Sequence, residues 1–179
     1  MSSALARALW CYTHTKSIER AFVQLLPDAL SISGSRFGFL AEVEYGTSGA
    51  PYFLSHAVVD VYKPDFGPED IVSGLQFHNL DTLNGAVMTS GRPVLANEPD
   101  RDPRRGGLPP GHAPLESYLG LPFLVPDGAC DGEHALVGGA ALANRPGGYC
   151  EADITLLQPL CDVAALMIAA HREISTQLT

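Results

Sequence analysis

The stretch Phe37–Tyr45, FGFLAEVEY, does most to limit what this chain can fold into. Phe37, Phe39, Ala41, Val43 and Tyr45 alternate with more varied neighbours in the two-residue rhythm of a strand. Gly46-Thr47-Ser48-Gly49 follows as a hairpin turn, and PYFLSHAVVDVY then reads as a second strand. Two strands joined by so short a loop can only pair antiparallel, because a parallel pair needs a crossover of a dozen or more residues. An all-helical bundle and a purely parallel α/β sheet are both excluded by this one hairpin.

The remaining elements are read around it. From Ala4 to Leu30 apolar residues recur at helical intervals, which predicts two helices broken near Thr13–Ser17. Prolines, a glycine and an aspartate mark a loop from Pro64 to Glu69. Ile71 to Phe77 and Leu80 to Thr89 are expected as two short helical pieces ending at Gly91. Arg92-Pro93-Val94-Leu95 is a brief strand. SYLGLPFLV, from Ser117 to Val125, reads as another, with Pro122 at an edge or a bulge. Ala135 to Ala143, ALVGGAALA, is small and apolar on both faces, as a central strand with something packed closely on it should be. A long helix is expected from about Glu151 to Glu173. Strands and helices thus interleave in short units, an α+β layout, and a chain of 179 residues fits a single domain, 1–179.

Charge narrows the partners. A net charge of -9 with a pI near 4.9 opposes nucleic acid and anionic membrane surfaces, both of which reward clustered Lys and Arg. The apolar run Val163–Ala170 is far shorter than the roughly 20 residues of a membrane-spanning helix. MSSALARALWCYTHTK has no uninterrupted apolar segment behind a basic start, so neither signal nor anchor is expected, and the protein is expected in the cytoplasm. Cys11, Cys130, Cys150 and Cys161 are scattered without a CxxC pair, and are expected as reduced thiols. Cys130 and His134 stand four apart in a Gly-rich turn with no second pair, so no metal is expected there.

The segment DRDPRRGGLPPGHAP, 100–114, is the most unusual stretch. From Glu98 to Arg105 it holds three acids and three arginines, so it is locally neutral and no patch for polyanions. Its prolines stiffen the backbone, which fits an ordered lid better than a linker. Arg104 and Arg105 could reach inward to fork a carboxylate or phosphate on a ligand, or pair with the neighbouring acids. His112 is held in the stiff part of the loop.

Three motifs in order carry a family resemblance. ALVGGAALANRPGGYCEADITLLQPLCDVAALMIAAHRE resembles the last strand and helix of a GAF domain. GRPVLANEPDRDPRR resembles the strand and loop after that family's middle helix, and SYLGLPFLV its S-hydrophobic-hydrophobic-G-hydrophobic-P strand. The resemblance implies a central, six-stranded, mostly antiparallel sheet, with terminal helices (1–33 and 151–174) on one face and a ligand pocket on the other. The sheet, pocket helices and lid would occupy 34–145. Phe77, His78, Asp81 and Thr82 fall where the family roofs its pocket; with Arg104, Arg105, His112 and Tyr118 they make up the expected ligand-binding set. Many GAF domains carry an Asn-Lys…Phe-x-x-x-Asp-Glu signature, matched here by Asn144, Arg145, Tyr149, Asp153 and Ile154. Arg145 paired with Asp153 in the first turn of the last helix is expected as a structural lock. Ile154 in place of the final acid, and Ala141 where cyclic-nucleotide members tend to have a glutamate, weaken the match to phosphodiesterase-like members and leave a cyclic nucleotide as an alternative rather than the expected ligand, so the ligand and any cofactor stay unidentified. Neither Cys130 nor Cys150 resembles a bilin-attachment site. The implied function is a sensor that binds a small molecule and signals through its terminal helices to a homodimer partner or an output domain. The alternatives are a ligand-free dimerisation module and a thiol-based redox sensor or reductase on the same fold.

Overall fold

The computed structural model describes residues 1–63, 65–126 and 134–177. Helices α1 (Ser2–Thr15) and α2 (Ile18–Ser33) come first. The break between them falls at Lys16, which takes a left-handed φ of 55°, and Ser17, whose hydroxyl accepts from the Arg20 backbone N–H at 3.2 Å to cap α2. Strands β1 (Phe37–Tyr45) and β2 (Pro51–Val59) form the expected hairpin, closed by the Gly46 N–H donating to the Ala50 carbonyl at 2.9 Å. Two short strands, β3 (Ile71–Val72) and β4 (Gln76–Phe77), precede helix α3 (Leu83–Ser90). Then come β5 (Val94–Ala96), β6 (Tyr118–Pro126), β7 (His134–Ala143) and α4 (Glu151–Gln177).

The main path of the sheet runs β3-β2-β1-β7-β6-β5, every pairing is antiparallel, and β4 also pairs with β2, giving seven strands in place of the six expected. Two of the seven, β3 and β4, arise where helix was expected. Ile71 to Phe77 is extended because Gly74 takes a φ of 82°, which no helix permits, and because the free edge of β2 offers partners. There the Gly74 N–H donates to the Ser55 carbonyl, and the Leu75 N–H to the Ser55 hydroxyl. Hydrogen bonding to an open edge outweighs the helical spacing of so short a segment. α3 also starts later than expected, at Leu83, with Thr82 as its N-cap accepting from the Gly85 N–H at 3.0 Å. Pro122 lies past the last β5–β6 pair, where that side of β6 has no partner, and the register shifts at Phe123/Leu124. Both circumstances fit a residue without an N–H.

Alternation along the strands divides the core. Leu40, Leu119, Leu121, Phe123, Ala140 and Leu142 pack under the helices with Phe22, Leu26, Leu157 and Ile168. Phe39, Ala41, Val43, Phe53, Tyr118 and Ala141 face the other way, toward α3. α2 and α4 lie on the first face, with α1 packed on both of them. Glu151–Thr176 is long and apolar enough by length and composition to cross a bilayer, a longer stretch than Val163–Ala170 alone. Its residues Leu157, Leu160, Cys161, Ala164, Met167 and Ile168 are instead buried against the protein.

A polar clamp lies under α4. The register of β1 against β2 slips between Leu40 and Ala41, which leaves His56 as an extra residue of the bulge. Its Nε2 approaches the Glu42 carboxylate at 2.9 Å, and the Arg172 Nε–H donates to the same carboxylate at 2.6 Å. The Arg172 guanidinium also donates to the Val43 carbonyl. Glu42 is only 4% exposed. Burial raises its carboxyl pKa, but the hydrogen bonds from His56 and Arg172 outweigh burial and hold it below the ordinary glutamate value.

Candidate functional site

The face of the sheet opposite α2 and α4 carries a cavity of about 1090 Å³. This is as large as the largest small-molecule sites, which run to about 1,000 Å³. Gly38, Phe39 and Ala141 from β1 and β7 form its floor, Val58 and Phe77 one side, and Leu83, Asn84 and Tyr118 the other. Small residues in β7 leave the space: a strand of alanines and glycines cannot fill its own pocket face, as the sequence ALVGGAALA requires. The apolar wall is ordered by ring contacts. Phe39 stacks on Phe77 at 4.6 Å between centroids, and Phe53 meets Phe39 edge-on at 6.0 Å.

The proline-rich loop roofs this cavity. Gly106 presses against the chain just before α3: a Cβ there would lie 2.3 Å from the Asp81 carbonyl and 2.5 Å from the Thr82 methyl. At the other end His112 packs edge-on against Phe37 and Tyr62, at 5.9 and 6.0 Å. Leu108 and Pro109 between them face the cavity. The loop is thus fastened at two points with its middle over the opening.

Of the residues expected to contact a ligand, Phe77, His78, Thr82, Arg105, His112 and Tyr118 line the cavity. Asp81 and Arg104 are not among the lining residues. Asp81 is exposed, with its N–H held by the Asn79 side chain at 2.9 Å. Arg104 is bound in a two-pronged pair with Asp102, at 2.9 and 2.7 Å, and the hydrogen bond from Arg104 holds the Asp102 carboxyl below its ordinary pKa. Arg101 likewise pairs with Glu98 at 2.8 Å. His78 stacks on Tyr52 at 4.4 Å and bonds to the Gln76 side chain at 2.9 Å, so the stretch that positions it is the strand β4, not a helix. Tyr118 is buried, donates its hydroxyl to Asn84 Oδ1 at 2.7 Å, and has its pKa pushed up by burial. Asn84 was not among the expected residues. Its place as the second residue of α3, opposite Tyr118, depends on a packing of β6 against α3 that no local pattern encodes.

The expected lock is present and joins more than two residues. Arg145 pairs with Asp153, which also accepts from the Cys150 backbone N–H at 2.8 Å. Burial raises the Asp153 pKa, but hydrogen bonds from Cys150 and the Arg145 charge bring it below the ordinary aspartate value. Asn144, at a left-handed φ of 58°, accepts from the Glu116 N–H at 2.8 Å and donates to the Pro114 carbonyl at 2.8 Å, tying the end of the roof loop to β7. The Tyr149 hydroxyl bonds to Ser35 at 2.7 Å, and burial pushes its pKa up to about 12. The missed member is Asn97, whose side chain bonds both the N–H and the carbonyl of Tyr149, at 2.8 and 2.9 Å. Replacing Asp153 with asparagine should cost about 1.5–3 kcal/mol, the range for a hydrogen bond to a charged group, as a lowered midpoint in urea unfolding at pH 7.

Among the described residues, no group of three or more His, Cys, Asp or Glu side chains is placed to hold a metal ion. Cys130, considered above for metal or thiol chemistry, lies outside the described residues. Cys11 and Cys161 are buried, Cys150 is exposed, and burial pushes the Cys161 thiol up to about 12.

Comparison with known proteins agrees with this architecture. A family model described as GAF domain matches residues 15–169. The GAF domain of a phosphoenolpyruvate-protein phosphotransferase from Coxiella burnetii is similar, with a TM-score of 0.72 at 16% identity, covering 97% of this chain and 95% of that one. Free methionine-R-sulfoxide reductase from Neisseria meningitidis, solved in complex with its substrate, gives a TM-score of 0.61 at 13% identity over 96% and 89% of the two chains. The phycocyanobilin-bound GAF domain of a cyanobacterial phytochrome gives 0.60 at 15% identity over 95% and 94%. At such identities the likeness is one of fold. No curated protein sequence matches the chain.

Proposed function

The chain belongs to the GAF family, and from that premise we propose that it works as a single sensory domain that binds a small molecule under the loop 99–115. The observation that carries this reading is the cavity of about 1090 Å³, walled by aromatic rings and roofed by a loop fastened at both ends. Signalling is then differential binding: a ligand that fits one arrangement of roof and floor better than another shifts the population toward it. β1 provides a physical connection, since Gly38 and Phe39 line the cavity while Glu42, three residues on, is clamped to Arg172 near the end of α4. A homodimer through the terminal helices, or an output domain, is the proposed receiver in the cytoplasm. The exposed Leu9, Trp10, Leu156 and Leu166 on α1 and α4 supply apolar surface for it.

Thiol chemistry on this fold is the competing reading. It would need a reactive cysteine at the site, whereas Cys11, Cys150 and Cys161 are absent from the cavity wall.

Ala141→Phe tests the proposal. Ala141 is 6% exposed on the floor, and a benzyl group there would occupy the space a ligand needs. A thermal-shift and native mass-spectrometry screen of small metabolites should find a binder for the wild-type protein and none for this variant. A binder that tolerates Ala141→Phe places binding elsewhere and sinks the reading.

A further inference from the structure

The polar groups of the cavity separate into those already hydrogen-bonded and those left open. Gln76 and His78 are bonded to each other, Thr82 caps α3, and Asn79 holds the Asp81 N–H. Asp60 accepts from the Tyr62 N–H at 3.2 Å and lies near Lys63. Gln76 and Asn79 accept through their oxygens and keep amide protons free, but both are exposed; among the remaining donors Asn84, which is half-buried, and Arg105 stand out. Asn84 uses its oxygen to accept from Tyr118, so both protons of its amide nitrogen are free for another acceptor. Arg105 is the sole arginine or lysine in the wall, and unlike Arg101 and Arg104 in the same loop its side chain has no partner among the described residues. Gly106, pressed against Asp81 and Thr82, brings Arg105 to the chain just ahead of the helix that carries Asn84. Asp100, the remaining acid of the wall, is exposed on the turn Pro99–Arg101, as Arg105 is on the loop, so pairing with a ligand rests on the geometry of the guanidinium and the Asn84 amide rather than on the net charge of the wall.

Resting on the reading of the cavity as a ligand site, we infer that its occupant is a flat, largely apolar acid, an aromatic carboxylate in chemical class. Its ring lies among Phe39, Phe77 and Leu83, and its carboxylate faces Arg105 and the Asn84 amide. A planar guanidinium is the side chain best matched to a carboxylate, since it donates two parallel hydrogen bonds. The apolar floor favours a ring over a second polar end. Arg105 and Asn84 act as binding residues, with the roof loop setting the position of Arg105.

Three probes sharing one ring system separate charge from shape: 2-naphthoate, 2-naphthylmethanol and 2-naphthylmethylamine, titrated by calorimetry into wild type, Arg105→Gln, Asn84→Leu and Ala141→Phe. We expect 2-naphthoate to bind the wild type about tenfold more tightly than the alcohol, as a charge-assisted hydrogen bond gives. Arg105→Gln, an exposed position whose replacement leaves the fold intact, should reduce that advantage to about twofold without weakening the alcohol. Asn84→Leu should weaken the acid more than the alcohol, and Ala141→Phe should abolish both. Equal binding of acid and alcohol, tighter binding of the ammonium, or a preference that survives Arg105→Gln each overturns the assignment of an acid while leaving the cavity a ligand site. Failure of all three probes overturns the assignment of an aromatic acid and leaves the cavity reading to the metabolite screen, whereas probe binding that survives Ala141→Phe overturns the cavity reading together with this inference.

Discussion

Arg172→Ala should lower stability by about 3 kcal/mol, among the largest losses available to a single side chain here. The variant leaves the Glu42 carboxylate in a site where it is 4% exposed, with His56 as its remaining side-chain partner. A buried ion pair adds little over an apolar pair of the same shape, but removing one member strands the other charge. The low end of the usual range applies because the Arg172 side chain is 37% exposed and water screens part of its charge. Thermal unfolding at pH 7 should show a midpoint lower by about 6–12 °C for a chain of this length. The pH dependence gives a second signature. Glu42 has a folded pKa below its unfolded value, so it contributes stability above the unfolded value that is lost as pH falls through the folded one. Without Arg172 the two values approach or cross, and the variant should lose that acid-side slope. Unchanged stability and an unchanged acid limb in Arg172→Ala would show that the clamp is a surface pair of no consequence.

Gly138→Val should cost at least about 3 kcal/mol, the upper end of what overpacking a core does. The glycine lies in β7 between β1 and β6 with α4 above it. A Cβ there would be 2.4 Å from the Ala41 carbonyl oxygen, 2.7 Å from Ile168 Cδ1 and 2.9 Å from Phe123 Cδ2. Side chains can retreat, but a carbonyl inside a paired strand cannot. The double variant Gly138→Val with Ile168→Ala should therefore recover only part of the loss, measured as the coupling energy of a double-mutant cycle in urea. Full recovery would mean that the helix alone, not the sheet, imposes the glycine.

Legibility varied with the range of the interactions involved. The hairpin Phe37–Tyr45 with Pro51–Val59 was readable because alternation and a tight turn are local, and the same holds for the helix break near Thr13–Ser17 and the helix end at Gly91. Ile71–Phe77 misled because a helical spacing over seven residues is a weak signal, and the open edge of β2 competes for the same backbone groups. In the loop 100–114, residue types could not separate Arg104 from Arg105: the two are adjacent and chemically equal. Only the backbone, turned by the close approach of Gly106 to Asp81, gives Asp102 to one and the cavity to the other.

The chain by itself determined the class of the fold, α+β with antiparallel strand pairing, because apolar periodicity and turn chemistry act between near neighbours. The Arg145–Asp153 pair was expected from the match of Asn144, Arg145, Tyr149 and Asp153 to the family signature, and the two side chains do meet at this strand-to-helix junction. The tertiary structure alone decided the Glu42–Arg172 clamp, the Tyr118–Asn84 contact and which residues line the cavity. Each joins groups from 34 to 130 positions apart, and contacts at that separation are set by how the layers pack rather than by any local pattern.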